Sequence, residues 1–232
     1  MILSEQIKEE LLDDILSGKY EPGDRLVESQ IARALGVSQS PVREALRDLV
    51  AMKFVEVVPY KGARVRRVDP REVVEIYPVR ARLEELAGQL AFRTIGASIN
   101  ELEDVLANMR KAVEAGDARE VAARDVDFHR IIIDASENQV LIDTWNSLMI
   151  EARTFVTARN LLNSPDKFQS IPDAHRPIID ALKTGDPNVF GRVMREHVEA
   201  FGAIMVEVYS NDAENHRSVD AGSQRHETVP GN

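Results

Sequence analysis

The stretch that most constrains this chain is residues 26–52, LVESQIARALGVSQSPVREALRDLVAM. It reads as two helices joined by a tight turn. Ile31, Ala32 and Leu35 form the apolar face of the first helix, and Gly36 follows where a helix ends in the left-handed region, which glycine enters cheaply. Val37 fills the turn and Ser38 is a natural N-cap for the second helix. Pro41 falls in the first turn of that helix, where a missing N–H costs nothing. Val42, Ala45, Leu46 and Leu49 recur at helical spacing and face inward, which leaves Gln39, Ser40, Arg43 and Arg47 pointing out. That is the arrangement of a helix-turn-helix whose second helix enters the major groove. Helical hairpins with glycine turns can also bind nothing, so the flanking segments decide.

Upstream, Ser4 caps a helix with Ile7, Leu11 and Ile15 as its buried stripe, Gly18 stops it, and Pro22-Gly23 marks a turn. Downstream, residues 54–58 and 63–68 are β-rich runs around Pro59-Tyr60-Lys61-Gly62, the pattern of a hairpin. Arg64 and Arg66 share one strand face and Lys61 lies at the tip, making a basic wing suited to phosphate or minor-groove contact. Residues 1–69 are therefore expected to form a winged helix-turn-helix of three helices plus a hairpin, with double-stranded DNA as its partner.

The formal net charge of −10 looks wrong for such a partner until it is divided along the chain. Between residues 38 and 68 seven basic side chains face three acidic ones, a local excess of four positive charges. Phosphate attraction depends on that patch, and an acidic remainder discourages indiscriminate DNA contact. No apolar run approaches the length of a membrane span, the first ten residues lack the pattern of a signal peptide, and cysteine is absent. These features point to a cytoplasmic protein without membrane contact, disulfides or thiolate chemistry.

Asp69-Pro70 opens a second domain with an N-cap and a proline at the first helical position. From there to about residue 210 the spacing predicts no strand and six helices, near 71–95 (kinked at Pro78), 98–115, 117–136, 138–160, 165–184 and 186–209. The fold class is thus mainly α: a winged helix-turn-helix, then an all-α bundle over 70–210. Residues 211–232 are polar without apolar periodicity and read as an unstructured tail.

Asp125 and His129 lie one helical turn apart, on the face that carries Val121, Phe128 and Ile132. His175 sits among Ile171, Ile178 and Leu182, and His197 among Phe190, Val193, Met194, Phe201 and Ile204. Four polar groups on three helices thus point into the bundle. Unpartnered burial costs about 1–3 kcal/mol for each polar group and more for the charge. A divalent metal removes that cost: imidazole and carboxylate suit Zn first, with Ni, Mn or Fe as alternatives. The other solution is a hydrogen-bonded Asp–His pair with two separately satisfied histidines. His216 and His226, in the tail, are read as solvated.

LGVSQSPVREAL, DVDFH, DAHRPIIDALKTGD and MREHVEA together resemble the GntR family of bacterial transcription regulators, FadR subfamily, whose C-terminal part is the helical FCD domain. The resemblance spans about residues 4–210. It implies a homodimeric regulator, chiefly a repressor, that binds an inverted-repeat operator and is not an enzyme. Asp125, His129, His175 and His197 match the family's metal site, and Asn138 matches a helix cap. Arg80, in YPVRARLEE, matches an arginine that faces the effector cavity, which by resemblance takes a small carboxylate or sugar acid. Arg43 matches a DNA contact, and Lys61 and Gly62 match the wing tip. Gln39 departs from the pattern: many relatives carry Arg there, and Gln favours adenine where Arg favours guanine. Ser29 likewise replaces an Arg of some relatives, which weakens that contact. Two rival functions are a regulator for which the metal itself is the signal, and a metal-dependent hydrolase or lyase.

Overall fold

The computed structural model describes residues 3–67, 70–148 and 150–223. Its first unit contains α1 (Leu3–Leu16), β1 (Arg25–Leu26), α2 (Glu28–Leu35), α3 (Gln39–Ala51), β2 (Val55–Val58) and β3 (Gly62–Val65). Ser4 lies inside the first turn of α1 rather than capping it. Gly36 ends α2 at φ 68°, and the Val37 N–H donates back to Ala32 O at 2.9 Å. Ser38 occupies the N-cap position of α3, but its hydroxyl makes no capping bond. Ile7, Leu11, Ile15, Val42, Ala45, Leu46, Leu49 and Phe54 close into one apolar core. The helical spacing read from the sequence is this core seen from the chain.

The wing is larger than a hairpin. β1 pairs antiparallel with β3, with Arg25 opposite Arg64, and the sheet order is β1-β3-β2. Two residues are too few for any alternation to announce a strand. Its consequence is that β3 lies between two strands and is no free edge.

The second unit holds α4 (Pro70–Ala91), a 3₁₀ turn (Ile95–Ser98), α5 (Ile99–Ala115), α6 (Ala118–Ala135), α7 (Gln139–Ser147), α8 (Ile150–Leu161), α9 (Pro165–Gln169), α10 (Ile171–Leu182) and α11 (Pro187–Ser223). Asp117 and Asn138 cap α6 and α7 by accepting from the Glu120 and Leu141 N–H groups. Two of the expected helices are each divided. α9 ends at Ser170, where Pro172 in the next turn has no N–H to donate back and so interrupts the backbone ladder. The expected 138–160 helix becomes α7 and α8. α4 runs through Pro78 without ending. Asp69, the expected cap, lies outside the described residues.

At the C-terminus, α11 continues to Ser223, past the end near 209 that its apolar pattern suggests. Once a helix is nucleated, each added residue brings its own backbone bond, so a polar extension needs no apolar face of its own. The part of the expected tail from 224 onward lies outside the described residues. Among the described residues no helix is long and apolar enough to cross a membrane.

α4 and α11 cross closely at two glycines. A Cβ on Gly88 would stand 3.1 Å from Gly191 Cα, and one on Gly191 would stand 2.6 Å from the Glu85 carbonyl oxygen. Backbone cannot yield as a side-chain tip can, so Gly191→Ala should lower the unfolding free energy by about 1–3 kcal/mol through overpacking. Denaturant melts check this, and an unchanged midpoint would mean that the two helices separate there at little cost. The crossing matters because α4 and α11 both carry residues of the site.

Candidate DNA-binding surface and metal centre

Ser38, Gln39, Ser40, Arg43 and Arg47 are all exposed at or near the start of α3. The inward residues of the same helix are fully buried, Val42, Ala45 and Leu49 at 0% exposure, so the orientation of the polar face is set by the core. Arg43 is held from the neighbouring helix: its Nε and one terminal nitrogen donate to the Glu28 carboxylate at 3.0 and 2.9 Å. At the wing tip Lys61 and Gly62 are exposed, with Gly62 at φ 82°. Tyr60 beside them is fully exposed at φ 63°, an aromatic that the sequence reading did not single out.

The other basic residues of the wing are occupied. Arg64 is half-buried and donates to Gly23 O at 2.9 Å, and Arg67 donates to Pro22 O at 3.1 Å. Arg66 pairs with Glu72 at 2.6 Å. The turn before β1 supplies the carbonyls that Arg64 and Arg67 engage, and α4 supplies the Glu72 that Arg66 engages. The side chains that looked free in a two-stranded hairpin are tied down by the preceding turn and by α4.

In the helical unit, His129 from α6, His175 from α10 and His197 from α11 bring ring nitrogens within 4.8 Å of one another. His175 Nε2 is 3.2 Å from Asp125 Oδ1. Each Nδ1 is already engaged: His129 with Glu84 Oε2 at 2.5 Å, His175 with Ile171 O at 2.9 Å, and His197 with Ala174 O at 3.1 Å. Carboxylate and carbonyl oxygens only accept, so each Nδ1 carries the proton, and in the neutral ring each Nε2 presents its lone pair. The Nε2 atoms of His129 and His175 are buried without a hydrogen-bond partner. Lone pairs gathered around one point, with the opposite nitrogens fixed by oxygen acceptors, are what metal-ligating histidines require. The residues present therefore fit a divalent cation.

Burial opposes ionisation of Asp125, yet the contact with His175 Nε2 and the nearby His129 hold its carboxyl well below the usual range; that contact and a metal at Nε2 are alternative uses of the same nitrogen. Burial, together with His175 and His129, pushes the His197 imidazole well below its ordinary value, favouring the neutral ligand form.

Glu84, which the sequence reading did not assign, is the hub behind this cluster. It is 0% exposed and accepts from His129, from Arg80 Nε at 2.6 Å and from Trp145 Nε1 at 3.0 Å. Burial would keep it protonated, but Arg80 and His129 hold it ionised, well below the usual carboxylate range. Trp145, read from sequence as plain packing, is thus a polar partner as well. Arg80 does reach the neighbourhood of the site, 3% exposed, with Glu84 on one edge and the Tyr77 ring 5.8 Å away. A signal was available: Glu84 lies one helical turn beyond Arg80 on the same inward face as Tyr77, Ala81, Ala87 and Ala91.

Comparison with known proteins gives two family matches. Residues 3–65 match the bacterial regulatory proteins of the gntR family, and residues 75–200 match the FCD domain. The chain is 35% identical over 199 residues to the probable D-xylose utilization operon transcriptional repressor of Paenarthrobacter nicotinovorans, covering 86% of this chain and 87% of that protein. It is 33% identical to the gluconate operon transcriptional repressor of Bacillus subtilis, covering 76% and 74% of the two chains. The structure of E. coli McbR/YncC superimposes with a TM-score of 0.71 at 26% identity, covering 90% of this chain and 99% of that one. The chain belongs to the gntR family of bacterial regulatory proteins, with an FCD domain behind its winged helix, and is a transcriptional regulator rather than an enzyme.

Proposed function

We propose that the protein is a metabolite-responsive repressor that binds an inverted-repeat operator as a homodimer. Its units are the DNA-binding residues 1–69 and the effector-binding residues 70–210. The observation that carries the reading is the pairing, in one chain, of an exposed recognition-helix face with a cluster of three imidazoles, two buried and one half-buried, whose nitrogens converge. Gln39, Ser40, Arg43 and Arg47 read the major groove. Ser38, whose hydroxyl has no capping bond, contacts phosphate together with Lys61 and Gly62. Arg64 holds the Gly23 turn.

The metal is held by Asp125, His129, His175 and His197, with zinc first in order of preference, and supplies positive charge to which an anionic effector can bind. Arg80 keeps donors beyond the one given to Glu84, and these orient the effector. The relative named for a gluconate operon favours a sugar acid or small carboxylate. Val79, Leu86 and Leu90 are exposed on one side of α4, a surface on which a second copy can dock. α6 offers a path between the units: it carries Asp125 and His129, and near its start Arg119 pairs with Asp13 of α1.

The test is a thermal-shift panel of sugar acids and small carboxylates, with and without prior chelation. A ligand at 100 times its dissociation constant should stabilise by about 2.7 kcal/mol. One acid whose shift disappears on chelation supports the reading. Failure of every acid, with DNA binding toggled by metal alone, would instead make the metal the signal.

Gln39→Arg should move the preferred base pair at one position per half-site from A·T towards G·C, with a discrimination of about 1–3 kcal/mol. Selection from a random-sequence DNA pool measures it. An unchanged consensus would remove Gln39 from the reading face.

A further inference from the structure

We infer that Glu28 is a positioning residue for sequence readout: it orients Arg43 for a base edge and withholds it from phosphates. The inference rests on the DNA-binding reading above and adds a residue from outside the recognition helix.

Glu28 stands in the first turn of α2 and Arg43 one turn into α3, and both lie on the surface, with side chains 34% and 67% exposed. The pair is made side-on. Glu28 Oε2 accepts from both Nε and the adjacent terminal nitrogen of Arg43, and Oε1 lies 3.3 Å from Nε. A guanidinium has five N–H donors in a rigid plane, and this contact engages two of them. The end-on edge, formed by the two terminal nitrogens, stays free, and it is the edge that matches guanine O6 and N7.

A long arginine on an open surface samples many rotamers, and ordering it costs free energy at the moment of binding. Glu28 orders it beforehand. A carboxylate on a DNA-facing surface repels the phosphates, so its presence lowers overall affinity. The trade is coherent if the return is discrimination. A more ordinary role also exists: an acidic residue in the first turn of α2 favours the positive end of that helix. Its hydroxyl-free N-cap, Val27, provides no side-chain bond there. The two roles differ in what they do to base preference.

The experiment compares the full-length wild type, Glu28→Gln, Glu28→Asp, Arg43→Ala and the Glu28→Gln/Arg43→Ala double variant. Each is taken through selection from a random-sequence DNA pool, followed by anisotropy titrations on the selected and scrambled duplexes at fixed salt. Glu28→Gln should relax the preference at the Arg43 base pair by about 5–20-fold, part of what one bidentate contact provides. Binding to the scrambled duplex should be equal or tighter. Glu28→Asp, whose carboxylate is set back by one methylene, should fall between. In the double variant the Glu28 change should have no further effect on base preference, because it acts through Arg43. A merely helix-stabilising Glu28 would lower the melting temperature and weaken both duplexes alike, with losses that add in the double variant, and that pattern would overturn the inference. So would a Glu28→Gln protein selecting the wild-type consensus with equal stringency. If the wild type itself enriches no sequence, the DNA-binding reading fails first, and this one with it.

Discussion

Arg43→Ala should abolish operator binding in practice. A bidentate arginine contact to one base pair contributes about 1–3 kcal/mol of discrimination, and a dimer on an inverted repeat makes it twice, so about 2–6 kcal/mol is at stake. Affinity should therefore fall between about 30-fold and 10⁴-fold, read by anisotropy at fixed salt. The fold should not suffer, because Arg43 is exposed and its contact with Glu28 is a surface pair, which contributes little to stability. An unchanged melting temperature with lost binding is the expected combination. If instead the dependence of affinity on salt becomes shallower while the consensus persists, Arg43 contacts phosphate, and the base must be read from Gln39 or Arg47.

The second large effect is expected from the helical unit. Purified protein should contain about one divalent metal ion per chain by mass spectrometry of native protein. A metal at 1,000 times its dissociation constant stabilises by about 4 kcal/mol, and for a chain of this size each kcal/mol moves the melting temperature by about 2–4 °C. Chelation should thus lower it by about 8–16 °C, and re-addition should restore it. His129→Ala should remove the metal, the chelation-sensitive part of the stability and the effector response, while DNA binding without effector persists. A His129→Ala protein that still binds the metal and releases DNA normally would overturn the site. Glu84→Gln probes the layer behind the ligands. Losing the ionised acceptor that fixes the His129 ring should weaken metal affinity by about 10–100-fold without removing any ligand.

These two experiments address parts of the chain that were legible to different degrees. The helix-turn-helix was nearly complete in the sequence because its determinants are local. Gly36 allows the left-handed backbone with which α2 ends, and the apolar spacing of Val42, Ala45, Leu46 and Leu49 decides which way Arg43 points. The four polar groups of the helical unit were legible for a related reason: they sit on the apolar stripes of three helices, Asp125 and His129 sharing one, so the spacing points them inward.

The wing was half legible. Its hairpin follows from β-rich runs around a glycine turn, but β1 has two residues and no pattern, and it is β1 that makes β3 central and ties Arg64 to the Gly23 carbonyl. A basic residue on a strand face carries no mark of whether a neighbouring turn will cover it.

The sequence by itself determined the class of the protein: a recognition helix with its outward residues, a helical second unit, and four polar groups on the inward faces of its helices. Tertiary structure alone decided which of those groups meet and what stands behind them. That His129, His175 and His197 converge depends on how α6, α10 and α11 pack, and α11 is set in turn by its close approach to α4 at Gly88 and Gly191. That Glu84 and Trp145 orient the site from α4 and α7 depends on contacts between residues far apart in the chain. The division is physical. Helix caps, turns and apolar periodicity are set within a few residues, whereas a hydrogen-bond partner on another helix is chosen only when the helices pack.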